Sequence, residues 1–99
     1  MADPAAPKEL AIPFAAHEAE EANEVLRAWI IDHGLHVSLQ RGFEDPAVWG
    51  VLLSDIARHV AKIFETEGVC SDEEAREAIK ATLDAEWDAP RESTTQAIQ

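Results

Sequence analysis

The chain is 99 residues long, which allows one domain with a core of modest size. Its content of 46% hydrophobic and 28% charged residues is typical of a folded protein and not of a disordered chain. It carries 20 acidic against 8 basic residues, a formal net charge of -12, and no Lys/Arg cluster, so partners made of nucleic acid or membrane are disfavoured. The longest apolar run, WGVLL, is far too short to span a membrane.

The two ends of the sequence contain few large apolar side chains. Residues 1–7 and 88–99 are therefore predicted to be disordered tails around a single domain at residues 8–87, because they bury too little to offset the entropy of ordering. The N-terminal sequence has neither the charged leader nor the apolar core of a signal peptide. Cys70 is the only cysteine, so no intramolecular disulfide can form. We therefore expect a cytoplasmic protein.

The domain is predicted to begin with two short elements. HEAEEAN, at residues 17–23, favours a short helix. KELAIP, at residues 8–13, can add an edge strand to a sheet formed later in the chain.

A β-hairpin is predicted over residues 25–40. VLRAWII and LHVSLQ flank the sequence DHG as two strands flank a tight turn. A helix is the alternative for residues 25–32, because apolar residues there also recur at helical spacing. In the hairpin, alternation places Leu35, Val37 and Leu39 on the face toward the helices and His36 on the opposite face.

The clearest local signal predicts a long helix at residues 46–67. Asp45 can cap it, Pro46 suits the first helical position, and Gly68 can end it in a left-handed conformation. Large apolar side chains recur on one broad face at spacings of three and four. They are Trp49, Leu52, Leu53, Ile56, Val60, Ile63 and Phe64. This face requires cover from other elements.

A second helix is predicted at residues 71–87, where Ser71 and Glu74 form a capping box. Its thin apolar stripe would pack against the long helix. The elements together predict an α+β fold, in which a short helix and a hairpin are followed by one long and one shorter helix packed on one face of the sheet. The predicted core consists of Trp29, Leu52, Ile56, Val60, Ile63, Leu83 and Trp87.

Four stretches of the chain, LRAWI, GLHVSL, DPAVWG and DIARHVA, resemble the pattern of a small uncharacterised bacterial family described as a domain of unknown function, DUF5076. The resemblance covers most of the sequence from Lys8 to Trp87. It implies a single recurring domain, and it implies no activity, cofactor or catalytic residue.

The best candidate acid/base pair is Asp55 with His59, which stand four residues apart on one flank of the long helix. We expect His59 to be structural and held by Asp55, whereas Arg58 or Lys62 are alternative partners for that carboxylate. His36 could complete a catalytic site only if the hairpin lies across this flank. We assign no catalytic residue and no cofactor.

A metal site would have to combine His33, His36 and His59, with Asp55 as a carboxylate ligand. No established zinc-binding spacing is present, and we assign no metal ligand.

Ser38 and Cys70 are the conceivable nucleophiles, but neither lies in a recognisable nucleophile motif.

The sequence favours a non-enzymatic protein-interaction module that self-associates or binds another protein. A small sheet covered on one side leaves an open edge and an open face, which a second chain would complete. The alternative is a small hydrolase or isomerase, or a metal-binding protein, that uses Asp55, His59 and His36. Small-ligand or regulatory binding is the remaining possibility, and the sequence does not identify a ligand.

Overall fold

The computed structural model describes residues 6–90 and the strand at 95–98. In chain order the elements are α1 (Phe14–Glu18), β1 (Leu26–Ile31), β2 (Gly34–Leu39), α2 (Ala47–Thr66), α3 (Asp72–Asp88) and β3 (Thr95–Ile98). The predicted α+β order of a short helix, an antiparallel hairpin and two helices is confirmed. Among the described helices, none has the length and apolar character needed to cross a membrane.

The hairpin forms around a two-residue turn. β1 and β2 pair antiparallel from Leu26 opposite Leu39 to Ile31 opposite Gly34. Asp32 and His33 between them have φ values of 48° and 69°, as a type I′ turn requires at both central positions. Residues 26–31 are therefore a strand, and the helical alternative for residues 25–32 is wrong.

One face of the hairpin is entirely aliphatic, because the register aligns apolar residues across the two strands. We call this the aliphatic sheet face. It consists of Leu26, Ala28, Ile30, Leu35, Val37 and Leu39. On the opposite face, Trp29 lies across from His36, and the guanidinium of Arg27 stands 5.9 Å from the centre of the Trp29 ring system.

The predicted helix at residues 17–23 is wrong in position. The observed helix α1 starts directly after Pro13 and ends at Glu18, and residues 19–25 are not helical. In a helix, Glu18 and Glu21 would stand three residues apart on one face, where like charges repel each other. A run this short also forms too few hydrogen bonds to offset the cost of starting a helix.

The predicted edge strand at residues 8–13 is also wrong, because this segment has no regular structure. The segment contacts β1 through a side chain, because the Glu9 carboxylate binds Arg27 at 3.2 Å, and no backbone hydrogen bond joins these described residues to β1. The third strand is instead β3, which pairs parallel to β2 in the sheet order β1-β2-β3.

Strand β3 lies inside the segment 88–99 for which the sequence predicts a disordered tail, and α3 itself reaches Asp88. The rest of the two predicted tails falls partly outside the described residues, at residues 1–5, 91–94 and 99. The boundaries of the domain therefore stay a prediction.

Both long helices begin and end as their local sequences predict. The Asp45 carboxylate accepts from the N–H of Ala47 at 2.9 Å, and Gly68 follows α2 with a φ of 74°. At the start of α3, the side chain of Ser71 accepts from the Glu74 N–H at 3.1 Å, and the Glu74 carboxylate accepts from the Ser71 N–H at 3.4 Å. This reciprocal pair is the predicted capping box.

The predicted core is wrong, because among the described elements neither the strands nor α3 cover the broad face of α2. Ile56, Ile63 and Trp87 are 38%, 53% and 74% exposed. Helix α2 contacts α3, and the buried apolar residues of the described chain are Ala61 and Ala75, one on each helix. Among the described elements, the strands contact one another and neither α2 nor α3.

The connection between the sheet and the helices is anchored at both ends. At the sheet end, the Gln40 side chain donates to the carbonyl of Glu24 at 2.7 Å, and its backbone N–H donates to Val25 at 3.1 Å. At the helix end, the Trp49 indole N–H donates to the carbonyl of Arg41 at 2.7 Å, and Phe43 packs edge-on against the same ring. These contacts hold the hairpin apart from α2.

Substituting Gly42 by alanine should destabilise this connection by roughly 1 to 3 kcal/mol. Gly42 has a φ of 70°, and a Cβ atom there would lie 2.8 Å from Cγ1 of Val25. Gly50→Ala is the matched control, because this helical position has no atom within 4 Å of an added Cβ. Alanine there should stabilise the helix by about 0.5 to 1 kcal/mol. Urea unfolding of both variants at one protein concentration measures the difference, and equal effects would contradict the anchored connection.

Candidate functional site

The residues of the candidate acid/base pair lie on α2, but they are not arranged as predicted. Nδ1 of His59 is 2.7 Å from the backbone carbonyl oxygen of Asp55, so the ring donates its Nδ1–H to the main chain. The Asp55 carboxylate instead accepts from Arg58 at 3.2 Å. Because the carbonyl four residues back lies beside the His59 ring, the main chain and not the carboxylate orients it.

The other candidate residues lie on elements that do not contact α2. His36 is on β2, and His33 is exposed in the hairpin turn. Because β2 and α2 make no contact, neither histidine joins His59 within the chain. In the described part of the chain, no group of three or more His, Cys, Asp or Glu residues is placed to hold a metal ion. Cys70 is a free, half-buried thiol just before α3.

A polar cluster that the sequence analysis missed joins α2 to α3 beside His59. The Asp72 carboxylate binds the ammonium of Lys62 at 2.8 Å and the guanidinium of Arg76 at 3.0 Å. The cluster borders an open depression of about 350 Å³. Only the Arg76 contact could be found from sequence, since it follows i,i+4 spacing, whereas Lys62 meets Asp72 through tertiary packing.

The charges of this cluster shift the protonation of its members. The hydrogen bond from Lys62 is the main cause that lowers the pKa of Asp72, partial burial opposes the shift, and Arg76 adds to the lowering. The hydrogen bond to Asp72 in turn raises the pKa of Lys62. The Asp72 carboxylate therefore binds two cations. Because Lys62 lies on α2 and Asp72 in the first turn of α3, their ion pair joins the two helices.

Asp72→Asn should destabilise the helix pair at neutral pH and much less in acid. The folded-state pKa of Asp72 is below the unfolded value of about 3.9, so its contribution is present above about pH 4 and is lost as the pH falls through the folded value. Urea midpoints of wild type and variant between pH 7 and pH 2.5 should therefore converge. Asp84→Asn is the control, because its contact with Lys80 is exposed and should contribute little. A wild-type advantage that persists unchanged at pH 2.5 would contradict the assignment.

The largest candidate site is the uncovered broad side of α2, which we call the helix face. Its flank beside Ala61 is occupied by α3, and the large side chains next to that flank remain in contact with solvent. Leu53 and Phe64, for example, are 44% and 40% exposed. The helix face consists of Trp49, Leu52, Leu53, Ile56, Val60, Ile63 and Phe64.

The chain exposes far more surface than a compact protein of its size. Its accessible area is 8729 Å², whereas a compact monomer of 10.9 kDa would expose about 5,600 Å². This area includes polar as well as apolar surface. Large side chains such as Ile63 and Ile30, which are 53% and 74% exposed, contribute to its apolar part, and contiguous exposed apolar surface is typical of an interaction surface.

Comparisons with known proteins agree with the fold and add one structural neighbour. Residues 9–91 match the family described as "Domain of unknown function (DUF5076)". No curated protein matches the chain. A solved structure from the photosynthetic bacterium Rhodopseudomonas palustrus CGA009, provisionally described as a pyruvate dehydrogenase, is 41% identical with a TM-score of 0.76. The match covers 96% of this chain and 99% of that chain.

Proposed function

We propose that this chain, which belongs to the DUF5076 family, is a small acidic protein-interaction module that associates with a second copy of itself. The observation that carries the proposal is the helix face, where Leu53, Ile56, Ile63 and Phe64 are exposed in the described chain. An apolar face of this size in water is unfavourable by about 25 cal/mol for each Å² that remains exposed. Association removes this surface from water.

The composition supports a protein partner over other macromolecules. With 20 acidic against 8 basic residues, the chain repels the phosphates of nucleic acids and of anionic lipids. The helix face itself contains no charged residue, so it can be buried without the cost of desolvating a charge. We place the protein in the bacterial cytoplasm, where the single free thiol of Cys70 would stay reduced.

Size-exclusion chromatography with light scattering over about 1 to 100 µM protein tests the proposal. We expect a mass of two chains, each of 10.9 kDa, at the upper end of this range. A mass of one chain at every concentration would overturn self-association. In that case a different protein would have to cover the helix face.

Salt should strengthen the association, which is the reverse of its effect on a complex held by opposite charges. Each chain carries a formal net charge of -12, so two copies repel each other over a distance set by the Debye length. That length falls from about 30 Å at 0.01 M to about 10 Å at 0.1 M ionic strength. The dimer fraction at a fixed protein concentration should therefore rise between these two salt concentrations. A fall would indicate that ion pairs across the interface dominate.

A pyruvate dehydrogenase activity is the second candidate, favoured by the 41% identity to the Rhodopseudomonas protein across nearly the whole chain. It has less support from the geometry, because the histidines and Asp55 do not converge within the described chain and the depression beside Asp72 is open to solvent. The same observation weakens the hydrolase, isomerase or metal-binding alternative. An assay of pyruvate consumption by the purified protein, with no turnover expected, tests the second candidate directly.

A further inference from the structure

The chain leaves two apolar faces uncovered, one on the sheet and one on α2. On the aliphatic sheet face, Ile30 is 74% exposed and Leu35 and Val37 are half-buried. The helix face presents side chains of the same character from a separate part of the molecule. We infer that the helix face of each copy packs on the aliphatic sheet face of the other copy. This inference rests on the proposed self-association.

The two faces of one chain are kept apart by the connection at residues 40–46. The Trp49 indole is bound to the carbonyl of Arg41 and packed against Phe43, which fixes the direction in which α2 leaves the sheet. Gln40 is bound back to the residues that precede β1. With this connection in place, no strand contacts α2 or α3 in the described chain. A second copy is therefore needed to bring a helix onto the sheet.

Reciprocal packing accounts for more of the exposed surface than the two simpler dimers do. A contact between two helix faces would leave the aliphatic sheet faces of both copies in water, and a contact between two sheets would leave both helix faces in water. When the helix face of each copy lies on the sheet of the other, both faces of both copies are buried. The two contacts are related by a two-fold axis, so the assembly closes as a dimer.

Charge also favours this arrangement. Neither the aliphatic sheet face nor the helix face contains a charged residue, although 28% of the chain is charged. Two copies can therefore bring these faces together without burying an unpaired charge. The opposite face of β1 carries Arg27, which binds Glu24 at 3.1 Å and Glu9 at 3.2 Å. That face is less suited to the contact, because burial would desolvate this charge network.

Two neighbouring residues of β1 provide a matched test. Ile30 lies on the aliphatic sheet face, whereas Ile31 lies on the opposite face, and both are exposed in the single chain, at 74% and 46%. Ile30→Lys should weaken dimerisation at least about 100-fold, because the ammonium would be buried against the helix face. Ile31→Lys should change it less than about threefold. Sedimentation equilibrium of both variants measures this, and circular dichroism checks that each remains folded.

The outcomes separate this inference from the proposed function. If the wild type is a dimer and Ile30→Lys dimerises as tightly as the wild type, the reciprocal packing is wrong while self-association stands. If the wild type is a single chain, both fail. If both lysine variants dissociate, isotope-filtered NOEs in a mixture of labelled and unlabelled wild-type chains decide. Methyl contacts between Leu35 or Val37 of one copy and Ile56 or Ile63 of the other support the inference, and contacts between helix faces alone overturn it.

Discussion

Replacing Ile63 by aspartate should convert the protein from a dimer into single chains. Ile63 lies on the helix face and is 53% exposed, so the substitution removes little packing within one chain. In the dimer, however, it would place a carboxylate against apolar side chains with no partner for its charge. A cost of about 3 kcal/mol or more for this burial raises the dissociation constant at least about 150-fold. Light scattering across a concentration series measures the change.

Val51→Asp is the matched control for this substitution. Val51 is on the same helix and is 64% exposed, but it lies around α2 from the helix face. The two variants have the same added charge and nearly the same effect on helix propensity. Dimerisation of Val51→Asp should stay close to that of the wild type. Equal dissociation of both variants would mean that net charge, and not the helix face, controls association.

The thermal midpoint of the protein should depend on its concentration, by about 3 °C for each tenfold dilution. When unfolding releases two chains from one dimer, dilution favours the unfolded state by about 1.4 kcal/mol per tenfold. For a dimer of about 200 residues the unfolding entropy is about 0.4 kcal/mol/K, which converts this free energy into the stated shift. Dilution from 200 µM to 2 µM should thus lower the midpoint by about 6 to 7 °C.

Ile63→Asp provides the control for this measurement. As a single chain it should unfold at the same temperature at every concentration, and at a lower temperature than the wild type. A wild-type midpoint that does not move with dilution would show that each chain unfolds on its own. In that case the exposed area of the helix face would have to be covered by something other than a second copy.

Elements with strong local signals were predictable from the sequence. Gly68 ends α2, and the capping box of Ser71 and Glu74 begins α3. Both act through hydrogen bonds between near neighbours. The hairpin turn is equally local, because it requires positive φ values only at Asp32 and His33. Such signals depend on a few consecutive residues, so they hold wherever the rest of the chain lies.

Weak or competing local signals were predicted less well. The acidic stretch after Ala16 predicts a helix, but its neighbouring glutamates repel each other and the observed helix is the short Phe14–Glu18 segment after Pro13. The contact of His59 was assigned to the Asp55 carboxylate, whereas the carbonyl of the same residue accepts the hydrogen bond. Helical spacing brings residues four apart together, but it does not decide which of two nearby acceptors is used.

By itself, the sequence determined the two long helices and the apolar faces of α2 and of the hairpin, because these depend on local hydrogen bonds and on periodicity. It did not determine what covers those faces. The hydrophobic effect is non-directional. The pattern on α2 therefore predicts that its apolar face is buried, but not which surface covers it. The tertiary structure decided this, because the contacts of Trp49 and Gln40 hold α2 away from the sheet, and α3 covers only the flank beside Ala61. Four of the residues predicted to form a core within one chain, Ile56, Ile63, Leu83 and Trp87, are therefore exposed on its surface.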